Sequence, residues 1–242
     1  MSLYLFISDL HLCDSRPATV DLFLRFLRNE AAKAKNLYIL GDLFDAWVGD
    51  DDDSQTAKQV IKGIKQLTER GTDVFIMHGN RDFLIGEDFC RACHASLLAD
   101  PTVIEVGSQP VLLTHGDQLC TRDVAYQQAR LMRTQQQWLD QFAQKSLSER
   151  KAIAAEYRKK SGENKSLLAD DIMDVTPGEV ENWFKKYQSV MMIHGHTHRP
   201  AVHQHLINGT SKPRIVLSDW HEKHATAIAV DEKLNLEQLA IS

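Results

Sequence analysis

Ser2-Leu-Tyr-Leu-Phe-Ile-Ser-Asp-Leu-His11 alternates apolar Leu3, Leu5 and Ile7 as a strand does, and it ends in a carboxylate and an imidazole two residues apart. In extended backbone, residues i and i+2 point to one side, so Asp9 and His11 are expected to leave the strand end together. Four further apolar runs end the same way. Leu37-Tyr-Ile-Leu-Gly-Asp42 continues to Asp45, and Val74-Phe-Ile-Met-His-Gly-Asn-Arg-Asp82 follows. Val111-Leu-Leu-Thr-His-Gly-Asp117 and Val190-Met-Met-Ile-His-Gly-His-Thr-His-Arg199 complete the set. Such strand ends are expected to line their polar residues along one edge of a sheet, where α/β folds bind ligands.

Between these runs the apolar spacing turns helical. Pro17 suits a first helical turn, and Val20, Phe23, Leu24, Leu27 and Ala31 follow at helical intervals. Val60, Ile61, Ile64 and Leu67 mark a second helix, capped by Ser54 and stopped by Gly71. This β-α-β-α-β succession predicts a largely parallel sheet covered by helices. Asp50 to Asp53 reads as a solvated turn leading into the Ser54 cap. A helix follows Arg81, and Val103 to Val106 and Val111 to Thr114 read as strands paired around Gly107-Ser-Gln-Pro110. Thr176-Pro-Gly-Glu179 has the form of a capping box opening a helix through Val180, Trp183, Phe184 and Tyr187. Arg214 to Leu217 and Ala225 to Val230 read as closing strands.

From Arg122 to about Val175 the strand signal disappears, and long helical stretches carry Tyr126, Leu131, Trp138, Leu139, Phe142 and Tyr157. Residues 122–175 are therefore expected to be a helical insertion in a core made of 1–121 and 176–242. Between Arg122 and Lys165 the net charge is +5, which leaves −10 for the rest of a chain that totals −5. A basic helical lid fits an anionic, partly apolar substrate or a membrane surface. An ordinary solvated helix pair with its apolar stripe in the core fits the same pattern.

A length of 242 residues suits one domain with an insertion, and 43% hydrophobic with 25% charged residues is ordinary globular composition. There is no run long and apolar enough for a transmembrane helix, and the N-terminus lacks the order of a signal peptide, so a cytoplasmic protein is expected. The negative charge disfavours a nucleic-acid track. Four cysteines are too few for a secreted disulfide framework, and Cys90-Arg-Ala-Cys93 has redox or zinc spacing with no second pair. These two read as half-buried thiols on a helix.

Asp9, His11, Asp42, Asn80, His115, His196 and His198 together exceed what one tetrahedral zinc uses, but suit two octahedral first-row cations if a carboxylate bridges. Asp42 is the natural bridge. Two such ions can activate a water and clamp a phosphoryl group for in-line attack, with no serine or cysteine nucleophile required. The carboxylate, amide and imidazole mixture fits Mn²⁺ or Fe²⁺, while affinity order favours Zn²⁺.

The set Asp9-x-His11, Gly41-Asp-x-x-Asp45, Gly79-Asn-Arg-Asp82, His115-Gly116 and Gly195-His-x-His198 resembles the calcineurin-like metallophosphoesterase superfamily over nearly the whole chain. The resemblance implies an α/β fold of the α+β sandwich kind: a two-sheet core flanked by helices, here with a helical lid. It also implies that Asp9, His11, Asp42 and His198 hold one ion and Asp42, Asn80, His115 and His196 the other. Arg81 stands where many members have His; a guanidinium cannot give up a proton at neutral pH, so it fits charge stabilisation.

The longer strings Tyr38 to Trp47, His78 to Gly86, His115 to Cys120 and Ile193 to Pro200 resemble the UDP-2,3-diacylglucosamine diphosphatase family of lipid A synthesis. That implies two Mn²⁺ ions and a glycolipid nucleotide substrate attacked by water at the α-phosphorus, giving UMP and 2,3-diacylglucosamine 1-phosphate. Catalytic roles then fall to Arg81, Asp42, Asn80 and His196. Substrate contacts fall to Asn80, Arg81, Asp123, Ser161, Asn164, Lys165 and His196. It implies a monomer held peripherally at the cytoplasmic face of the inner membrane through the basic insertion. Two departures stand out. Lys165 lies three residues further from Ile172-Met-Asp-Val175 than the family's lid lysine, and Ser218-Asp-Trp220 replaces the common Gly-Asp-Trp. The rival readings are another metallophosphoesterase activity, such as a phosphodiesterase or nuclease, and a non-catalytic scaffold, which the full ligand set opposes.

Overall fold

The computed structural model describes residues 3–165 and 174–242, with the side chains of 160–165 excepted. The chain runs β1 (Leu3–Ile7), α1 (Pro17–Asn29), β2 (Asn36–Leu40), α2 (Gln55–Thr68), β3 (Asp73–Met77), α3 (Glu87–Cys93) and β4 (Ser96–Leu98). A hairpin of β5 (Thr102–Val106) and β6 (Gln109–Thr114) follows, then α4 (Val124–Arg133), α5 (Gln136–Ala143) and α6 (Leu147–Lys165). The C-terminal part contains α7 (Pro177–Lys186), β7 (Met191–His194), β8 (Ala201–Ile207), β9 (Thr210–Val216), β10 (Ala225–Asp231) and β11 (Leu236–Ile241).

The strands form two sheets, in the orders β11-β10-β1-β2-β3-β4 and β5-β6-β7-β9-β8. The expected parallel succession is present as β1 to β4, with β10 antiparallel on the free edge of β1. The strand ends do not share one sheet edge, however. Those of β1, β2 and β3 belong to the first sheet and those of β6 and β7 to the second, because the chain changes sheet at the β5–β6 hairpin.

Side-chain alternation builds the layers. In β1, Leu5 and Ile7 face α1 to α3 with Phe23, Phe26, Trp47, Phe89 and Trp220. Tyr4 and Phe6 face the second sheet, meeting Val111, Leu113, Ile193 and Ile215. Phe6, Tyr38 and Phe75 stack in file across β1, β2 and β3, with ring centroids 5.0 and 4.9 Å apart. Leu112 and Met192 turn outward onto α7 through Val180 and Phe184. The result is helix, sheet, sheet, helix, with both sheets buried on their inner faces.

One local expectation is corrected. Thr176 precedes α7 without capping it, because its hydroxyl accepts from Thr121 Oγ1 at 2.7 Å. The Glu179 carboxylate takes Trp183 Nε1 at 2.8 Å, so the reciprocal bonds of a capping box do not form. The acidic run is the expected turn, with Asp51 and Asp53 exposed, but its carboxylates also have partners. Asp50 accepts from Trp47 Nε1, Gly86 N and Phe89 N, while Asp51 and Asp53 pair with Arg150 and Lys151 of α6. Ser54 does cap α2, accepting from Ala57 N at 3.1 Å. Cys90 and Cys93 are buried on α3, where burial pushes their thiols up to about 11 and 12.

Candidate metal centre

Seven side chains meet where the C-terminal ends of β1, β2, β3, β6 and β7 converge. His11 Nε2 and His198 Nε2 face each other at 3.3 Å, and His198 Nε2 lies 3.2 Å from Asp9 Oδ1. Asn80 Oδ1 is 2.9 Å from His196 Nδ1 and 3.2 Å from His115 Nε2. Asp42 stands between the two groups, with Oδ2 3.9 Å from His11 Nε2 and Oδ1 3.9 Å from His115 Nε2. Asp9, His11 and His198 form one potential metal-holding cluster, and Asp9, Asp42 and His115 another.

Strand alternation is not what aims Asp9 and His11. Both lie beyond the end of β1 in left-handed backbone, with φ of 55° and 49°. Asp42, His196 and His198 share that conformation at 53°, 69° and 54°. Such residues cost on the order of 1–3 kcal/mol each and persist where the surroundings over-determine them.

Here the surroundings are a set of buried hydrogen bonds. Asp9 N donates to Gly41 O at 3.1 Å, His11 N to Asp42 O at 3.0 Å, and Gly195 N to His115 O at 3.0 Å. The Asp82 carboxylate, fully buried, accepts from Gly79 N at 2.8 Å, Leu43 N at 2.7 Å, Asp42 N at 3.2 Å and Phe44 N at 3.3 Å. It ties the turn bearing Asp42 to the turn bearing Asn80. A Cβ on Gly79 would sit 2.1 Å from Asp42 Oδ1, so only glycine lets these turns approach.

The donor atoms are prepared for a cation. His115 Nδ1 is 2.9 Å from Leu40 O and donates there, so Nε2 is the atom turned to the cluster. Burial pulls the ring's pKa down, but the Asp42, Asp9 and Asp117 carboxylates outweigh it and hold it up to about 9, a proton that a cation at Nε2 would displace. Ser8 Oγ and His196 N both donate to Asp9 Oδ2, at 2.6 and 2.9 Å, whereas buried Asp9 Oδ1 faces the imidazole of His198, with Nε2 at 3.2 Å. Burial opposes ionisation of Asp9, but the adjacent His198, His115 and His11 hold its carboxyl far below the usual range. Asp42 is pushed the other way, up to about 7, by burial and by the neighbouring Asp82 and Asp9 carboxylates. Burial, with His198 and Arg81 adding to it, pushes His11 down to about 4. Opposed imidazole nitrogens and crowded buried carboxylates fit divalent cations, which would satisfy both.

Arg81 sits at the rim, its backbone N donating to Asp42 Oδ1 at 2.8 Å and its carbonyl accepting from Trp47 N at 3.0 Å. Asp123 begins α4, its carboxylate accepting from Tyr126 N at 2.9 Å. The side chains of Ser161, Asn164 and Lys165 lie outside the described residues. Sequence reasoning gave no role to Asp82, Asp117 or Tyr126. Asp117 is buried and accepts from Tyr126 Oη at 2.7 Å and Arg130 Nε at 2.9 Å, and the Tyr126 ring lies 5.7 Å from His196. These bonds fasten α4 beside the cluster. Asp82 and Asp117 each close a motif that supplies a ligand, which is the signal that was available.

The calcineurin-like phosphoesterase family matches residues 3–200. The chain belongs to that family. Among its relatives in this phosphoesterase family, UDP-2,3-diacylglucosamine hydrolase of Marinobacter nauticus is 48% identical over 218 residues, covering 90% of this chain and 89% of that protein. The protein of the same name from Pseudomonas putida is 43% identical over 240 residues, covering 98% and 99%. Two solved structures share the phosphoesterase fold at low identity. An archaeal phosphodiesterase aligns with TM-score 0.51 and 13% identity over 99% of both chains. A hypothetical protein from Pyrococcus horikoshii aligns with TM-score 0.52 and 12% identity, covering 100% of this chain and 88% of that one.

Proposed function

We propose that this phosphoesterase hydrolyses the pyrophosphate bond of UDP-2,3-diacylglucosamine by attack of water on the α-phosphorus, releasing UMP and 2,3-diacylglucosamine 1-phosphate, with Mn²⁺ as its metal. The observation that carries this reading is the convergence of seven oxygen and nitrogen donors, in a chain 43–48% identical along most of its length to proteins of that name.

In this reading Asp9, His11, Asp42 and His198 hold one ion, and Asp42, Asn80, His115 and His196 the other. The position of Asp42 between His11 and His115 supports its role as the bridge. Bound there, two divalent ions supply Lewis acidity, lowering the pKa of a water and neutralising phosphoryl charge. The remaining work belongs to side chains of the protein. Arg81 presents a permanent cation to the phosphoryl oxygens from a backbone that Asp42 and Trp47 hold still. Asn80 and His196 orient the same group, and Asp82 keeps both turns in register.

Residues 122–175 serve as the lid. A cavity of about 310 Å³ between α5 and α6 is lined by Trp138, Phe142, Ile153 and Tyr157 together with polar Gln141, Lys145 and Glu156. None of its lining residues is a candidate ligand, and its apolar walls are assigned to the acyl chains while the pyrophosphate stays at the centre. Asp123, Ser161, Asn164 and Lys165 are assigned to the glucosamine and phosphate groups. Val124, Leu131 and Met132 are exposed on α4 just after exposed Arg122, which suits peripheral contact with an anionic membrane surface at the cytoplasmic face of the inner membrane, while Arg130 and Arg133 turn inward to Asp117. No helix among the described residues is long and apolar enough to cross a membrane.

The test is hydrolysis of UDP-2,3-diacylglucosamine by purified, metal-stripped protein in detergent, with and without added Mn²⁺, products being identified by mass. UMP and the diacylated sugar phosphate are expected only when metal is restored. No turnover alongside cleavage of a generic phosphodiester would discard the lipid substrate while retaining the metal centre.

A further inference from the structure

Arg214 of β9 is 6% exposed and His194, the last residue of β7, is fully buried. Neither is a candidate ligand, yet His194 lies between the turns that bear ligands. Arg214 Nη1 lies 2.8 Å from His194 Nε2, and Arg214 Nε donates to His205 Nε2 at 3.2 Å. A guanidinium has only donors, so His194 Nε2 must be the acceptor and the ring's proton must sit on Nδ1. His194 Nδ1 is 2.8 Å from Gly195 O and donates to it. The same carbonyl accepts from Thr197 N at 2.8 Å, which closes the turn carrying His196 and His198.

The ring also acts as a spacer. A Cβ on Gly116 would meet His194 Nδ1 at 2.7 Å, so the imidazole is seated against the turn that follows His115. On the far side, a Cβ on Gly195 would meet Asp9 Oδ2 and Ser8 Oγ, each at 2.2 Å. The Gly195 backbone is therefore packed directly against Asp9 and Ser8, and a rotation of the Gly195–His196 peptide would carry His196 N off Asp9 Oδ2, where it now donates at 2.9 Å. A buried charge on Arg214 is expensive unless it does something there. What it does is select one tautomer of His194.

We propose that Arg214 and His194 form a buried positioning relay, in which Arg214 fixes the His194 tautomer, His194 fixes the Gly195 carbonyl, and that carbonyl sets the turn that presents His196 and His198 to the metal ions. This rests on the metal-centre reading. Both residues are positioning residues and touch no substrate.

The test compares Arg214→Met with wild type, measuring Mn²⁺ binding by calorimetry on metal-stripped protein together with the melting temperature. Partners of metal ligands, when removed, weaken metal binding by roughly 10- to 100-fold, and that loss is expected in a variant that still folds cooperatively. A folded Arg214→Met that binds Mn²⁺ as tightly as wild type overturns the relay. Imidazole ¹⁵N spectra of the wild-type protein give an independent readout: His194 is expected as the Nδ1–H tautomer, and a proton found on Nε2 overturns the relay whether or not the variant folds. Wild type that binds no Mn²⁺ refutes the metal centre itself, a result distinct from either of these.

Discussion

Asp82→Asn isolates what holds the metal-binding turns in their strained shape. Oδ1 of the native carboxylate accepts from Gly79 N and Asp42 N, and Oδ2 from Leu43 N and Phe44 N. Asparagine has the same outline but serves only one of these pairs, turning its NH₂ toward the other. Two buried N–H groups are then stranded, at about 1–3 kcal/mol each. Burial holds the Asp82 carboxyl above the usual range, so removing its charge offsets part of that loss. The net destabilisation is about 2–4 kcal/mol, which for a domain of this length lowers the melting temperature by roughly 4–16 °C. Because the freed turns carry Asp42 and Asn80, Mn²⁺ affinity falls with stability. Thermal unfolding by circular dichroism, with and without Mn²⁺, reads both effects. A variant that melts within about 2 °C of wild type and keeps its full metal content refutes the pinning role.

Arg81→Ala is expected to leave metal content intact and lower kcat by roughly 10²- to 10³-fold, as loss of one fixed charge at a developing anion does; normal turnover removes Arg81 from the mechanism. Asp42→Asn and His196→Ala should lower bound metal as measured by elemental analysis, with Asp42→Asn affecting both ions; full metal in both variants contradicts the ligand assignment. Arg150→Met cuts the bonds from α6 to Val48 O and Asp51, so amide exchange along the start of α6 should accelerate while the β1 to β3 amides stay protected. Unchanged exchange in α6 would mean that this pair does not hold the helix down.

The candidate ligands stood out because each follows a short apolar run, and a glycine adjoins Asp42, Asn80, His115 and His196. Residue identity picked out Asp9, His11, Asp42, Asn80, His115, His196 and His198 as candidates, and the fold brings them together. Their backbone was not legible. The left-handed φ at Asp9 and His11 is imposed by bonds to Gly41 and Asp42, some thirty residues away in sequence, and by Trp220 N on Asp9 O from the far end of the chain. Local pattern suggested extended backbone there, and tertiary bonds overrode it. The edge strands β4, β8 and β11 escaped notice for a different reason. β4 is three residues long, and β8 and β11 expose most of their side chains, so neither shows a clean alternation. The acidic run was legible as an exposed turn, but its partners Arg150 and Lys151 lie about a hundred residues on, beyond the reach of any local rule. Arg214 gave no signal at all, since a lone arginine in a strand pattern ordinarily faces water.

Hydrolysis of UDP-2,3-diacylglucosamine in ¹⁸O-labelled water, with both products weighed, tests the central claim most directly. Attack on the α-phosphorus at the metal centre predicts one labelled oxygen in UMP and none in 2,3-diacylglucosamine 1-phosphate. Label in the sugar phosphate, or label that appears without divalent metal, would contradict it.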